Sequence, residues 1–276
     1  MAQPPIIHID DMADPVVTPA LAAWRLPLPL GGSSNHFRTS ALETVGGWDP
    51  YNVTEDADLG MRLARQGYST AVIASTTYEE APARFGPWLK QRSRWFKGWM
   101  QTWAVHMRRP FVLYRELGLA GFVVFQLIVG GTVFAALVHP FVTCALIYSL
   151  VHASWQHMQS ELLGIGLIVL QSTTFVTGYA ASILLGLFGL ARRKLLRHAG
   201  ILLLTPILWF LLSLAAWRGL IQLMRNPYHW EKDRAWSRED FAEGSQALEI
   251  FLQVCRSFFR LAAQVERGNE IAVFVH

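Results

Sequence analysis

Three acidic side chains, Glu55, Asp56 and Asp58, lie close together in the segment NVTEDADLG, residues 52–60. A carboxylate at the start of a helix can act as a general base if its surroundings tune its pKa and a substrate hydroxyl lies within reach. Acids at this position also complement the helix dipole and bind free N–H groups, which is an ordinary structural role. Asp58 precedes Arg62 by one helical turn, so we assign it to an ion pair. For the other two acids both roles stay open.

A second group of chemically capable residues follows in the segment QRSRW, residues 91–95, which contains Gln91, Arg94 and Trp95. Arginine binds diphosphate through paired hydrogen bonds, and a tryptophan face stacks on sugar rings or bases. The same segment has a structural interpretation, because tryptophans recur along one helical face with basic residues between them. That pattern is typical of a helix at a membrane surface. The tryptophans of this face are Trp88, Trp95, Trp99 and Trp103.

Local signals predict the elements that hold both groups. The acids open a helix with Thr54 as its N-cap and Gly67 at its end, and Leu59 and Leu63 share its buried face. A β-rich run over residues 69–76 predicts a strand after it. A second helix is expected from Gly86, with Pro87 at its first position. The helix and strand together indicate the end of an α/β domain.

Composition indicates a membrane protein with a modest polar part. Of the 276 residues 52% are hydrophobic and 16% are charged, and the net charge is +4. Three apolar blocks cover residues 117–151, 162–190 and 201–224. The first exceeds one span of about 20 residues, and His139-Pro140 is the expected break, so we predict about four membrane helices. Basic residues flank these blocks, which favours a membrane surface over nucleic acid as the partner.

The orientation in the membrane stays open from charge alone. Basic residues at 84–115 favour a cytoplasmic polar domain, and those at 191–198 favour a cytoplasmic loop. Four simple crossings would put the second loop outside. A re-entrant or interfacial segment near Pro206 would remove the conflict. Cys144 and Cys255 have no nearby partner in sequence, so neither a disulfide framework nor a thiolate metal site is expected. The first residues do not read as a cleavable signal peptide.

The order of these motifs resembles a known family. Thr54-Glu55-Asp56, then Gln91-x-x-Arg94-Trp95, then apolar helices, is similar to the second half of membrane-embedded family-two glycosyltransferases, the group of cellulose, chitin and hyaluronan synthases. The resemblance extends over residues 26–233 and is greatest to bacterial relatives of the cellulose synthase type. It implies an α/β fold, a partial GT-A-like glycosyltransferase domain, followed by an α-helical transmembrane bundle of about four helices.

The resemblance also implies a division of the chain and a location. The expected parts are the C-terminal portion of a catalytic domain over 1–83, an amphipathic interfacial helix over 84–116, transmembrane helices over 117–225, and a membrane-proximal tail with an amphipathic helix over 226–276. The implied location is the bacterial inner membrane, crossed several times, with the catalytic segment cytoplasmic. The implied partners are a nucleotide-sugar donor, a glycan acceptor and the lipid bilayer, without nucleic acid.

Residue roles carry over only at matching positions. Asp56 would be the general base that deprotonates the acceptor hydroxyl, which then attacks the anomeric carbon of the nucleotide-sugar with inversion. Trp48 is expected to pack rather than to form a sugar platform. Loops as polar as residues 31–37 are often only loops, which is the alternative for three of the binding residues. The implied donor- and acceptor-binding residues are Glu55, Gln91, Arg94, Trp95, Ser34, Asn35 and His36.

The family also uses a nucleotide-binding half with an Asp-x-Asp that holds Mg²⁺ or Mn²⁺ against the diphosphate. Only 53 residues precede Thr54, and such a fold needs roughly a hundred more. Asp10, Asp11 and Asp14 follow a short apolar run, but they lack the Asp-x-Asp spacing, and we expect a solvated loop. We therefore expect no metal ligands in this chain, which is then a truncated product, a fragment, or one half of a split enzyme whose partner chain carries the donor half.

Two alternatives to an active enzyme remain. The chain can be a truncated or non-catalytic membrane-bound half that keeps acceptor or diphosphate contacts and needs a partner chain for the donor site. It can also be a transport or scaffold protein whose acids only cap a helix. Transport is the weaker alternative, because Glu161 is the only formal charge in a long apolar region and lies at its boundary.

Overall fold

A computed structural model of the chain describes residues 6–8, 17–31, 35–72, 84–155, 162–192 and 194–226. The predictions made for Ser34, for the acids between residues 10 and 14, and for the tail beyond residue 226 lie outside the described residues. The described elements, in chain order, are β1 (Ile6–His8), α1 (Val17–Ala23), α2 (Thr39–Thr44), α3 (Glu55–Arg65), β2 (Thr70–Val72), α4 (Phe85–His106), α5 (Pro110–Phe125), a π-helical turn (Gln126–Gly131), α6 (Thr132–Trp155), α7 (Leu162–Arg192), a 3-10 helix (Leu196–Leu204) and α8 (Thr205–Arg225).

The polar part of the chain contains a short parallel sheet and three helices. β1 pairs with β2 in the register Ile6 to Thr70 and His8 to Val72. The predicted strand is confirmed at residues 70–72, while residues 73–76 lie outside the described residues. Within the described part of the chain the sheet has two strands, so the α/β class stays a prediction. The buried core beside the sheet consists of Leu21, Leu28, Leu30, Ala41, Leu59 and Leu63.

The helix predicted from the acids is α3, and its packing and its end are as expected. Leu59 and Leu63 are fully buried. Gly67 has a φ of +78°, a left-handed conformation that glycine adopts without steric cost. The Tyr68 N–H bonds the Leu63 carbonyl across this turn, which satisfies a carbonyl at the helix end. Thr54 occupies the predicted N-cap position, and its side chain makes no capping hydrogen bond.

Helix α4 lies in the middle of the fold rather than only on a surface. It packs against α3, the π-helical turn, α6 and α8. A Cβ on Gly219 of α8 would lie 2.7 Å from the Ser93 carbonyl oxygen, so the two backbones approach closely there. Lys90 and Lys97, two of the basic residues that lie between the tryptophans in sequence, are both buried. The helix begins at Phe85, slightly before the predicted start.

Three helical segments of the described chain are long and apolar enough to cross a membrane: Pro110–Ser149, Ile168–Arg192 and Leu196–Arg225. The count of about four therefore stays a prediction. The expected break at His139-Pro140 is wrong, because α6 continues through Pro140. Neighbouring helices can support a proline within an apolar helix, and His139 bonds Tyr179 of α7 (Nε2 to Oη 2.7 Å). The backbone instead leaves helical geometry at Gly118, with a φ of 68°.

Candidate functional site

The residues just before α3 are attached to α4 by hydrogen bonds. The Asn52 side-chain amide donates to Thr102 Oγ1 over 2.9 Å, in a buried position. The Val53 N–H donates to Gln101 Oε1 over 3.3 Å. Asn52 Oδ1 also accepts the Thr54 N–H at 3.0 Å. These bonds fix the direction in which the chain enters α3, so the start of that helix moves only together with α4.

A close backbone approach adds to this attachment. Thr54 is buried against Gly98 of α4, where a Cβ would lie only 2.3 Å from Thr54 Oγ1. Real side-chain carbons do not approach an oxygen so closely, so only glycine fits this position without a shift. Thr54 Oγ1 is buried and has no hydrogen-bond partner among the described residues. The threonine therefore serves as a packing surface against α4. We call these contacts of residues 52–54 with α4 the α3–α4 clamp.

The clamp occupies the same side of α4 as the second motif. Gln91, Arg94, Gly98 and Gln101 follow one another at spacings of three or four residues, which places them along one face of a helix. Trp95 lies beside Arg94 on the same turn. All three motif residues are half-buried. The structure therefore aligns the two motifs along one face of α4, with the start of α3 one turn beyond Arg94.

Glu55 and Asp56 form the first turn of α3 and are both half-buried. Asp56 Oδ1 accepts the Ala57 N–H at 2.8 Å, which holds the carboxylate at the helix start. Free N–H groups and the dipole at a helix N-terminus favour a negative charge there. A carboxylate in this setting can accept a proton from a hydroxyl placed beside it.

Asp58, by contrast, is buried and bonded to two other side chains. Its Oδ2 accepts from Arg62 Nε at 2.7 Å, which confirms the ion pair expected from the sequence. Its Oδ1 lies 3.0 Å from His106 Nε2 of α4, and both side chains are almost completely buried. Burial alone raises the pKa of Asp58, but the hydrogen bond with His106 and the charge of Arg62 together lower that pKa below its ordinary value. The carboxylate is therefore held as a charged structural group.

The partners of Asp58 continue into a longer polar network. The terminal nitrogen Nη1 of Arg65 lies 3.0 Å from His106 Nδ1. Arg65 Nε donates to Glu116 Oε2 of α5 over 2.5 Å. Arginine only donates hydrogen bonds, so His106 Nδ1 accepts and its Nε2–H donates to Asp58. Arg62 also donates to the Val45 carbonyl at 2.8 Å. The network joins α3 to α4, α5 and the turn after α2.

The segment that precedes the loop predicted to touch the acceptor packs against α3. At Gly60 a Cβ would lie 2.3 Å from the Leu28 carbonyl oxygen, so the chain before this loop is pressed against α3. The Asn35 side-chain amide donates to the Gly31 carbonyl, and His36 is exposed. Gly60 lies one helical turn after Asp56, so Leu28 and Leu30 and the acidic turn lie at neighbouring parts of α3.

Trp48 makes one aromatic contact, and its role in packing rather than as a sugar platform stays a prediction. Its ring meets the Phe37 ring edge to face, with centroids 5.7 Å apart. Half of its surface is exposed all the same, since its exposed fraction is 49%. This aromatic pair ties the end of the loop to the turn that precedes the α3–α4 clamp.

Arg92 has a position that sequence reasoning missed. Its guanidinium carbon lies 4.3 Å from the ring centroid of Trp95 and 5.8 Å from that of Trp88, so a cation–π contact covers one face of Trp95. Burial lowers the pKa of Arg92 from its ordinary value. Its Nε is buried without a hydrogen-bond partner among the described residues. Only the other face of Trp95 can therefore stack on a ligand.

The described residues do not provide a metal site. No group of three or more His, Cys, Asp or Glu side chains among them has a suitable arrangement. In α3, Asp58 is bonded to Arg62 and His106, and one oxygen of Asp56 accepts a backbone N–H. This set does not fit Mg²⁺ or Mn²⁺, which take several carboxylate oxygens or waters.

Other contributors to the site were also missed from the sequence. His106, Asn52 and Thr102 position α3, and they act across about fifty residues of sequence. Their only sequence signal is polarity in segments that otherwise look like a turn and a helix end. Lys97 donates to the Asn226 carbonyl at 2.7 Å and so binds the end of α8.

Comparison with known proteins gives a family match and several relatives. Residues 20–230 match the family described as glycosyl transferase family group 2. The probable glycosyltransferase YdaM of Bacillus subtilis is 33% identical over 76 residues, 27% of this chain and 18% of the relative. The UDP-forming cellulose synthase catalytic subunit of Komagataeibacter sucrofermentans is 36% identical over 75 residues, 27% of this chain and 10% of that subunit.

A third relative has a lipid product in its name. The beta-monoglucosyldiacylglycerol synthase of Synechocystis is 28% identical over 103 residues, 35% of this chain and 21% of the relative. This chain therefore spans about a fifth or less of the length of these curated relatives.

Proposed function

This chain belongs to glycosyl transferase family group 2, and we propose that it is the C-terminal part of an inverting glycosyltransferase that acts at a membrane. The reaction transfers a sugar from a nucleotide-sugar donor to a growing polysaccharide or glycan. The glycosyl transfer itself is supported by relatives that include a cellulose synthase and other glycosyltransferases. The inversion, the acceptor and the residue roles are our proposal.

The alignment of the two motifs along one face of α4 is the observation that supports this proposal. Thr54, directly before the acidic turn, contacts Gly98, and Arg94 lies one helical turn away on the same face. A base must lie close to the group that holds the leaving diphosphate if one reaction is to use both. A purely capping role for the acids would not require this arrangement.

In the proposed reaction Asp56 takes the proton of the acceptor hydroxyl. The hydroxyl oxygen forms a bond to the anomeric carbon from the side opposite the nucleotide, and the bond from that carbon to the diphosphate oxygen breaks with its electron pair. The configuration at the anomeric carbon is therefore inverted. Gln91 and Arg94 bind the diphosphate, with Arg94 offsetting its charge, and the uncovered face of Trp95 holds a sugar ring.

Glu55, Asn35 and His36 are proposed to bind donor or acceptor, and Ser34 belongs with them by the resemblance alone. Glu55 is half-buried beside Asp56, and His36 is exposed in the loop that follows the segment pressed against α3. Carboxylate, amide and imidazole groups suit sugar hydroxyls, because they accept or donate hydrogen bonds in defined directions.

We propose that the protein lies in the bacterial inner membrane with the acidic turn on the cytoplasmic side. Three apolar helical segments support a membrane location, and basic residues near the first of them support the orientation. Mg²⁺ or Mn²⁺ offsets charge on the leaving diphosphate in family members. The described residues do not fit such an ion, so we propose that a donor-binding half outside them, in a partner chain, supplies its ligands.

The test is release of nucleotide from a panel of sugar nucleotides, with Mg²⁺ or Mn²⁺, in membranes that contain the full chain. Asp56→Asn keeps the shape and removes the base, and we expect it to abolish release. Glu43→Gln, at an exposed acid of α2, is the matched control and should retain full release.

Two other outcomes separate the alternatives. If the inserted chain releases nucleotide only when a chain with the Asp-x-Asp half is co-expressed, the protein is half of an enzyme and needs its partner. If Asp56→Asn releases nucleotide as fast as the unchanged protein, the assignment of Asp56 as the base is wrong.

A further inference from the structure

A pocket of about 690 Å³ lies beside the α3–α4 clamp and takes no part in the proposed reaction. It is bounded by the turn before α3, the C-terminal half of α4 and the last turn of α8. A volume of this size suits a small ligand or a lipid headgroup. Neither Thr54-Glu55-Asp56 nor any residue of the segment 91–95 lines it. The lining residues that matter here are Asp49, Tyr51, Gln101, Val105, Arg108 and Leu223.

Two opposite charges line the pocket. Asp49 Oδ1 accepts the Tyr51 N–H at 2.9 Å, and its second oxygen has no bonding partner among the described residues. The Arg108 side chain is exposed and forms no hydrogen bond or ion pair with another described residue. Asp49 and Arg108 come from different elements and are not paired with each other. A ligand with one anionic and one cationic group would complement both.

The pocket lies where two candidate membrane spans meet the polar domain. Arg108 precedes by two residues the segment that starts at Pro110, and Leu223 is two residues from the end of the segment Leu196–Arg225. Val105 and Leu223 give the pocket an apolar side. In the membrane placement proposed above, these walls lie at the depth of lipid headgroups. This inference rests on that placement.

We propose that the pocket binds the headgroup of a phospholipid that carries a phosphate and a primary ammonium, as phosphatidylethanolamine does. Arg108 donates to the phosphate, and Asp49 accepts from the ammonium. The acyl chains leave along Val105 and Leu223 towards the bilayer core. An anionic headgroup without an ammonium would leave the Asp49 carboxylate facing a like charge, which is unfavourable.

A bound headgroup also contacts residues that hold the acidic turn. Asn52 and Gln101 line the pocket, and the same two side chains form the hydrogen bonds of the α3–α4 clamp. The lipid therefore restricts opening of the clamp. Backbone amides of residues 52–60 exchange more slowly with solvent when the pocket is occupied.

The experiment is native mass spectrometry of the full chain, extracted from membranes and incubated with equal amounts of dioleoyl phosphatidylethanolamine, phosphatidylcholine and phosphatidylglycerol. We expect retention of phosphatidylethanolamine about tenfold above the other two lipids. Each of those two lacks the charge-assisted hydrogen bond that a primary ammonium donates to Asp49. Arg108→Gln and Asp49→Asn should each abolish the preference. The asparagine keeps the oxygen that accepts the Tyr51 N–H, so the turn is preserved.

Arg109→Gln is the matched control, since Arg109 is an exposed arginine next in sequence that does not line the pocket. Equal retention of the three lipids, or a preference that survives both pocket variants, would overturn the proposal. Displacement of the bound lipid by a soluble oligosaccharide would also overturn the proposal. The membrane placement is tested separately. If that placement is wrong, sodium carbonate will extract the chain from the membrane.

Discussion

Gly98 sets the distance between the acidic turn and α4. Gly98→Ala would place a methyl group 2.3 Å from Thr54 Oγ1 and 2.8 Å from Thr54 Cβ, so the start of α3 must move away. Overpacking of this kind costs about 1–3 kcal/mol. We expect the variant to unfold at a lower temperature and to lose nucleotide release, as measured by thermal unfolding in detergent and by the release assay.

Two further variants check the cause. Adding Thr54→Ala to Gly98→Ala removes two of the three crowded atoms, and we expect part of the lost stability to return. Gly178→Ala is the control, because nothing lies within 4 Å of a Cβ at that position of α7. Equal effects of Gly98→Ala and Gly178→Ala would show that contact with Thr54 is not the reason.

The Asp58 carboxylate makes stability depend on pH in a defined range. The pKa of Asp58 in the folded protein lies below its ordinary value of 3.8, and the unfolded chain has approximately that ordinary value. The stabilisation is therefore complete above the unfolded pKa and is lost as pH falls through the folded pKa. Removal of one partner of a buried ion pair costs roughly 3 kcal/mol, so Asp58→Asn should be less stable than the unchanged protein at pH 7.

Unfolding temperatures in detergent between pH 7 and pH 3 test this, with Glu43→Gln as the exposed-acid control. The difference between the unchanged protein and Asp58→Asn should not shrink between pH 7 and pH 5 and should shrink only below about pH 4. A difference that already shrinks between pH 6 and pH 5 would contradict the lowered pKa of Asp58.

At the scale of elements, Lys97 joins α4 to the end of α8. Its ammonium donates to the Asn226 carbonyl, which is an orphan acceptor at a helix C-terminus where a cation is favoured. Lys97→Met keeps the length of the side chain and removes this donor. A hydrogen bond from a charged group is worth about 1.5–3 kcal/mol, so amides of residues 219–226 should exchange at least about tenfold faster. Hydrogen exchange with mass spectrometry measures this.

The matched control for this change is Lys194→Met, at an exposed lysine in the turn after α7. We expect it to leave exchange in α8 unaltered. If Lys97→Met also leaves exchange in residues 219–226 unaltered, the ammonium of Lys97 does not hold the end of α8.

Elements with local signals were predicted well from the sequence. The boundaries of α3 follow from the spacing of Leu59 and Leu63 and from Gly67, since these signals act within one or two turns. The pairing of His106 with Asp58 spans 48 residues, and no periodic pattern reports a contact at that separation. The burial of Lys97 likewise depends on a carbonyl supplied by a distant helix, which no local pattern indicates.

The helix break predicted at Pro140 was wrong for a related reason. Pro140 was expected to end a helix because proline removes a hydrogen bond, but packing by neighbouring helices offsets that loss within α6. The proximity of the two motifs was implied by their order and by the resemblance, and their alignment along α4 agrees with it. The roles of Asp56, Gln91, Arg94 and Trp95 in catalysis stay predictions.

At the scale of the whole molecule, the contact between α4 and the end of α8 restricts the topology. Lys97 precedes every candidate span and Asn226 follows the last of them, yet their polar atoms lie 2.7 Å apart. Two residues in contact lie on the same side of a bilayer. The chain between them must therefore cross the membrane an even number of times, whereas one crossing by each of the three candidate segments would separate them.

Cysteine accessibility tests this prediction. In a background with Cys144→Ser and Cys255→Ser, single substitutions Glu43→Cys, His198→Cys and Met224→Cys report on the polar domain, the turn before the 3-10 helix and the end of α8. A thiol reagent that does not cross membranes is applied to sealed vesicles of each orientation. We expect Glu43→Cys and Met224→Cys to react from the same side, and reaction from opposite sides would contradict the even number of crossings.

His198→Cys then distinguishes two ways of reaching an even number. If it reacts from the side opposite Glu43→Cys, the segment Leu196–Arg225 crosses the bilayer once. An odd number of crossings then lies between Lys97 and His198, so Pro110–Ser149 and Ile168–Arg192 do not both cross singly. If it reacts from the same side, Leu196–Arg225 enters and returns, which agrees with the basic residues at 191–198 facing the cytoplasm. In both cases α8 ends beside the face of α4 that carries Lys97, which keeps the proposed site and the membrane helices in one unit.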